Sequence, residues 1–343
     1  MMFTETRLSG GLKVILLAAA LGAVLSLHAF SASAAEKADK PIKIQMDFII
    51  GGKHAIWYVA LDKGFYLKRG LSVTIQPGAG SADTVRAIGA GLADVGFADF
   101  STAIVAKSRG TPVQAVAQLG YMPATILWRE DTPIKTLKDL EGKSWAVSPG
   151  QAHRYLMPAF AKINHIDFTT IKIQDFAPAL LPSALIARKA DFVGMFRASN
   201  DEVTEMAATK QGIKLKRVFL KDNGLNIYGG GLIVREENIK RGPDVIRAYV
   251  EGTMEGLRYS REHPDEALQI LMKHKPELNR ELTRIQLKSA LEEIFIPPES
   301  LQLGFGYIKP DVMEKTVAIT NEYFDTGRKV SVGEVYTNQF IRK

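Results

Sequence analysis

Cysteine is absent from all 343 residues. That excludes disulfides, thiolate metal ligands, a thiol nucleophile and lipid attachment through an N-terminal cysteine. Long apolar runs are scarce too. Val14 to Leu27 covers about 14 residues, which suits the core of an export signal and falls short of the roughly 20 a membrane-spanning helix needs. No later segment comes close. With Arg7 and Lys13 before that run and Ala32-Ser33-Ala34 behind it, residues 1–34 are expected to be a cleavable signal peptide. A secreted chain with neither disulfides nor a lipid anchor is expected in a periplasm.

Dense charge of one sign is also lacking. The formal net charge of +7 falls to +6 once Glu5, Arg7 and Lys13 leave with the signal, and the excess is spread along the chain. Nucleic acid is therefore not an expected partner, and the excess fits solubility with some steering of anions. Catalytic signatures are missing as well. The nearest approach to a nucleophile elbow, Gly142-Lys143-Ser144-Trp145-Ala146, lacks its closing glycine. Gly78-Ala79-Gly80-Ser81-Ala82-Asp83 fails the third glycine of a dinucleotide fingerprint, and no phosphate loop occurs. The histidines at 54, 153, 165, 263 and 274 include no pair spaced to share one helix face. The sequence predicts no cofactor, no metal and no enzymatic activity.

What is present is alternation. After the signal, 309 residues remain, more than one core usually holds, so two lobes are expected. Short apolar strands (Ile42 to Ile49, Ser72 to Gln76, Val95 to Ala98, Val113 to Leu119) alternate with amphipathic stretches (Ala55 to Leu67, Ala82 to Ala90, Ser101 to Ser108). The rhythm restarts after Thr125 to Arg129, with strands at Ser144 to Val147, Ile171 to Asp175 and Phe192 to Phe196. A further strand, Ile227 to Val234, precedes a helix from Pro243 whose Ile246, Tyr249, Val250, Met254 and Leu257 share one face. The segment 88–97 echoes 186–195, each a helix end, an Ala-Asp turn and a buried strand, although any helix-to-strand connection reads similarly. The expected fold is α/β with two lobes, the first built from 41–124 and 227–343 and the second from 125–226.

In such sheets ligands sit beyond the carboxyl ends of strands, where loops run into helix N-termini. In the first lobe this selects Asp47, His54, Trp57 and Tyr58 after the first strand, Gly80 and Ser81 after the second, and Asp99, Phe100 and Ser101 after the third. In the second it selects Ser148, Gln151, His153 and Arg154, then Phe196 and Arg197, with Tyr228 on the return crossover. Glycines admit a close backbone, hydroxyls and amides hydrogen-bond, and aromatic rings stack on a planar solute. Competing readings stand beside these. Trp57 and Tyr58 are adjacent on a helix, so they cannot face one cleft equally. Ser81 and Asp99 also read as ordinary helix caps, and Arg154 and Arg197 as surface charges.

Gly52-Lys53-His54-Ala55, Ala60-Leu61-Asp62-Lys63-Gly64-Phe65-Tyr66 and Gly70-Leu71-Ser72-Val73-Thr74-Ile75 resemble the opening of solute-binding proteins that serve nitrate, taurine, alkanesulfonate and thiamine-pyrimidine importers. Ala90-Gly91-Leu92-Ala93-Asp94-Val95-Gly96-Phe97-Ala98 and Leu137-Lys138-Asp139-Leu140-Glu141-Gly142-Lys143 match later landmarks in the same order. The resemblance implies the periplasmic type II fold, two crossovers (the second near Asn226 to Val234), a cleft that closes on one small solute, a membrane permease with a separate ATPase as partner, and a monomer. Fungal thiamine-pyrimidine synthase shares the fold, yet carries a cysteine cluster where this chain reads Tyr228-Gly229-Gly230-Gly231. A binding protein is thus expected over an enzyme, with a ligand-sensing module as a further alternative and a pyrimidine-like heterocycle as the expected ligand, sulfonates, nitrate and aromatic acids standing as alternatives.

Overall fold

Short β-branched runs bury both faces only when helices cover them on each side. The computed structural model describes Met2, residues 39–297 and residues 299–342, so the expected signal segment lies outside the described residues except for Met2. Residues 40–343 form one compact unit. Its first half runs β1 (Lys40–Gln45), α1 (Ala55–Asp62), β2 (Leu71–Gln76), α2 (Ser81–Gly89), β3 (Val95–Asp99), α3 (Phe100–Ser108) and β4 (Val113–Gln118). Next come β5 (Ala124–Arg129), β6 (Ser144–Val147), α4 (His153–Ile163), β7 (Lys172–Asp175), α5 (Leu181–Ile186), β8 (Phe192–Phe196), α6 (Asn200–Thr209) and β9 (Leu215–Phe219). The chain then makes β10 (Gly230–Arg235) and helices α7 (Glu236–Arg241), α8 (Pro243–Glu262), α9 (Pro264–His274), α10 (Arg280–Ser289), α11 (Ser300–Leu303) and α12 (Pro310–Tyr323).

Two five-stranded sheets result, ordered β2-β1-β3-β10-β4 and β7-β6-β8-β5-β9. The two orders are the same architecture. In each, three parallel strands are followed by an antiparallel strand delivered by a crossover from the other sheet: β10 against β3 and β4, β5 against β8 and β9. This fits the sequence echo, whose two copies fall on α2–β3 and α5–β8. The crossovers touch each other. Met122 N–H donates to the Ile227 carbonyl (3.0 Å), Gly229 N–H to the Gly120 carbonyl (3.0 Å), and the rings of Tyr121 and Tyr228 stack 5.5 Å apart. Because residues 227–229 bond to this neighbouring crossover, β10 begins at Gly230 rather than at Ile227 as the sequence suggested.

Each sheet has its own core. Ile44, Trp57, Leu232, Tyr249 and Leu257 are buried around the first, and Trp145, Phe160 and Phe192 around the second. Fully burying one such side chain contributes roughly 1.5–3 kcal/mol. Helix α8 starts on Pro243, whose missing N–H costs nothing in a first turn, and lays its Ile246, Tyr249, Val250 and Leu257 face on the sheet and on α1. Helix α12 packs on both α3 and α4, so a single rod backs both halves.

Candidate functional site

The carboxyl ends of β1, β2 and β3 face those of β6 and β8, and the loops beyond them meet. Ala82 N–H donates to the Gly150 carbonyl across the junction (3.2 Å). Gly80 makes that approach possible: its φ is 148°, and a Cβ there would stand 2.0 Å from the Gly150 oxygen. A second tie comes from Arg197, whose guanidinium reaches Glu293 (3.0 Å), Ser289 (3.3 Å) and Glu202 (3.1 Å). Gln286 Nε2 donates to the Ser199 carbonyl (2.5 Å) while its Oε1 accepts from Gly52 N–H (2.8 Å). The lobes are closed on one another.

Between them lies an inner hollow of about 440 Å³ counting the space that opens to solvent, lined by Asp47, Lys53, Ser81, Phe97, Asp99, Leu119, Pro123, Phe196, Arg197, Ala198, Gly229, Gly230, Ile294 and Phe295. Phe97 and Asp99 alternate with Ala98 on β3, so strand pleating points both at the same side. Phe295 arrives from the C-terminal region, after a π-helical turn at Ala290–Ile294. Gly120, at φ 94°, lets the first crossover approach that turn, since a Cβ there would stand 1.9 Å from the Ile294 oxygen.

Asp99 is the decisive group. Its Oδ1 caps α3, accepting from Thr102 N–H (2.8 Å) and Thr102 Oγ1 (2.9 Å), and its own N–H donates to Ser81 Oγ (3.0 Å). Its Oδ2 has no hydrogen-bond partner among the described residues, although the side chain is 94% buried (6% exposed). Burial, helped by the nearby Asp47 charge, pushes this carboxyl up to about 7. In the ionised form this oxygen is a buried acceptor without a donor, which costs about 1–3 kcal/mol until something donates to it.

Asp47 behaves differently. Burial acts to raise it, but Lys53 Nζ (2.6 Å) and His54 Nε2 (2.9 Å) hold it below the ordinary carboxylate value. His54 Nδ1 accepts from Gly51 N–H (3.1 Å), so its Nε2 carries the proton given to Asp47. Burial lowers the His54 pKa, against the pull of Asp47, and the ring remains neutral.

A second, smaller hollow adjoins the first and is lined by Gly80, Ser81, Gln151, Phe196 and Asn200 among others. A larger outer chamber adjoins both, with His54 in its wall. Of the residues selected from sequence, Asp47, Ser81, Asp99, Phe196 and Arg197 line the inner hollow, Gly80 and Gln151 the second, and His54 the outer chamber.

The others stand elsewhere. Trp57 is fully buried against Phe97 and Phe295, and Tyr58 packs on His274 at the opposite face of α1, because adjacent helical residues diverge by about 100°. Phe100 and Tyr228 pack on each other in the first lobe's core, with Ser101 fully buried beside them on α3. Ser148 Oγ donates to the Phe176 carbonyl (2.9 Å). His153 sits under Gly194, within 3.2 Å of the Thr125 oxygen, and burial lowers it to about 3. Arg154 is half-buried and pairs with the mostly exposed Asp175. Sequence reasoning passed over Lys53, Phe97 and Phe295. Lys53 and Phe97 lay within motifs already singled out, whereas nothing local marks Phe295.

The profile of the family described as NMT1/THI5 like matches residues 52–267, which carry most of these walls. The chain belongs to the NMT1/THI5-like family. Similar proteins include the riboflavin-binding protein RibY of Chloroflexus aurantiacus, 23% identical over 88% of this chain and 86% of that one. The 4-amino-5-hydroxymethyl-2-methylpyrimidine phosphate synthase of Legionella pneumophila is 22% identical over 84% of this chain and 88% of its own. Among solved structures, the periplasmic nitrate-binding protein NrtA of Synechocystis PCC 6803 superposes with a TM-score of 0.65 at 16% identity, over 88% of this chain and 87% of that one. The fold is that of the periplasmic binding proteins.

One expectation is corrected by this kinship. The absence of cysteine and of catalytic motifs suggested that the chain is not an enzyme, yet a named synthase stands as near to this NMT1/THI5-like chain as a named binder does. Relatives of this chain are named both for binding and for synthesis, so missing motifs of unrelated enzymes do not exclude catalysis.

Proposed function

We propose that this protein is the substrate-binding component of an ABC importer and captures a planar nitrogen heterocycle of the pyrimidine kind between its lobes. The observation that carries the reading is the unpartnered Oδ2 of Asp99, buried in a hollow walled by Phe97, Phe196 and Phe295. A ring amino or imino group donates to that oxygen, while the aromatic walls take the ring's faces. Relatives named for riboflavin and for a pyrimidine, both nitrogen heterocycles, support this class.

The lobes that close are residues 41–124 with 227–343, and residues 125–226, hinged at the paired crossovers. Ligand bridging both lobes favours the closed form by its differential affinity. The closed form, a monomer exported to the periplasm by a signal peptide over residues 1–34, then meets a permease driven by a separate ATPase. The test is a thermal-shift and calorimetric screen of aminopyrimidines, sulfonates and aromatic carboxylates on the wild type and Asp99→Asn. At 100 times its dissociation constant a ligand adds roughly 2.7 kcal/mol of stability. Aminopyrimidines are expected to bind, and Asp99→Asn to weaken them roughly 10- to 100-fold through loss of a charge-assisted hydrogen bond. A response to sulfonates alone, or one indifferent to Asp99→Asn, overturns the reading. Mass spectrometry of recovered ligand separates capture from turnover.

A further inference from the structure

We infer that the ligand has two parts, a heterocyclic head in the inner hollow and an apolar appendage in the outer chamber, joined through an oxygen-bearing group. This rests on the proposed reading of the Asp99 site and extends it. The outer chamber measures about 760 Å³ and the inner hollow about 440 Å³, each including the space at its mouth. It opens between the same two lobes, and Lys53 lines the inner hollow, the second hollow and the chamber alike. Its walls are apolar on both sides: Phe48, Ile50 and Leu282 from one lobe, and Pro178, Pro182 and Val203 from the other. A surface of that composition, left to water between two closing lobes, returns binding energy only to an apolar group.

Asn200 supplies the second, independent observation. It stands where the second hollow and the chamber share a wall, 94% buried (6% exposed). Its Oδ1 accepts from Phe196 N–H (2.9 Å), which fixes the amide's orientation, and its Nδ2 has no partner among the described residues. A buried amide N–H in that position calls for an acceptor. A carbonyl or ether oxygen between head and appendage provides one. Asp99 thus asks for a donor on the ring and Asn200 for an acceptor beyond it. A small inorganic anion such as nitrate offers Asp99 no donor and leaves the chamber unused.

The probes are 4-aminopyrimidine-5-carboxamide and its N-methyl, N-butyl and N-benzyl amides, titrated calorimetrically into the chain without residues 1–34. Affinity is expected to rise roughly threefold or more per methylene along the alkyl series. Val203→Asp, on a half-buried wall position, is expected to abolish that rise. Asn200→Asp, which keeps the oxygen that accepts from Phe196, is expected to weaken every member about tenfold. If the alkyl amides bind no tighter than the unsubstituted one, or if Asn200→Asp changes nothing because water meets the amide, the two-part ligand is overturned and the Asp99 reading stands. If no member binds the wild type, or if all bind Asp99→Asn equally well, both fall.

Discussion

Strand runs into helix at matching places in the two sheets, β3 into α3 and β8 into α6, and each junction buries a carboxylate. Asp201 at the second is fully buried and fully answered: Thr125 Oγ1 donates at 2.8 Å and Arg217 Nε at 3.0 Å. Its neighbour Glu202 closes a capping box, accepting from Ala198 and Ser199 N–H. Asp99 at the first junction is half answered, with one oxygen given to the helix and the other without a partner among the described residues. Two copies of one architecture thus spend the same residue type differently. Where the charge is met within the protein it holds the fold, and where it is left open it is the oxygen that the proposed ligand would answer.

The contrast breaks most visibly in pH. An unfolded Asp99 ionises near 3.8 while the folded one stays protonated to about 7, so the unfolded state holds fewer protons in that window. Its contribution to stability is therefore lost as pH rises from about 4 to about 7 and is flat above. Urea unfolding of the wild type against Asp99→Asn is expected to show a gap that widens by up to about 4 kcal/mol across this range, in favour of the variant. A constant gap would mean that Asp99 has an ordinary carboxylate environment.

Next in size is Asp201→Ala, expected to cost about 3 kcal/mol at neutral pH, because it takes the buried acceptor from Thr125 Oγ1 and leaves the partly buried Arg217 with Glu205 alone. Equal destabilisation by Asp99→Asn at neutral pH would erase the difference between the junctions. The smallest expected effect is Arg154→Ala. Its partner Asp175 is mostly exposed, so unfolding should shift by no more than about 0.5 kcal/mol and ligand affinity should not change. Weaker binding in that variant would extend the site toward α4.

The α/β class was legible in the alternation of short apolar runs and amphipathic stretches, and so were most of the loops that approach the cleft. Asp99 was legible as a cap, since an acidic residue before Phe100-Ser101-Thr102 is what a helix start requires. Its second oxygen was not, because the partner that fails to appear is a matter of three dimensions. Trp57 and Tyr58 misled for the opposite reason. Aromatic rings after a strand suit a ligand and a core equally, and the helices α8 and α9 that bury them lie some two hundred residues downstream. Phe295 and Gln286 come from that same distant region and carry no local mark.

Periodicity by itself determined where strands and helices form, since burial of one face against the backbone's own geometry needs only near neighbours in the chain. Which of two similar strand-to-helix junctions keeps an unmet oxygen, and which faces a hollow, was decided only when the two sheets closed on each other. Desolvation and hydrogen-bond satisfaction depend on every group within a few ångströms, whatever its distance along the sequence.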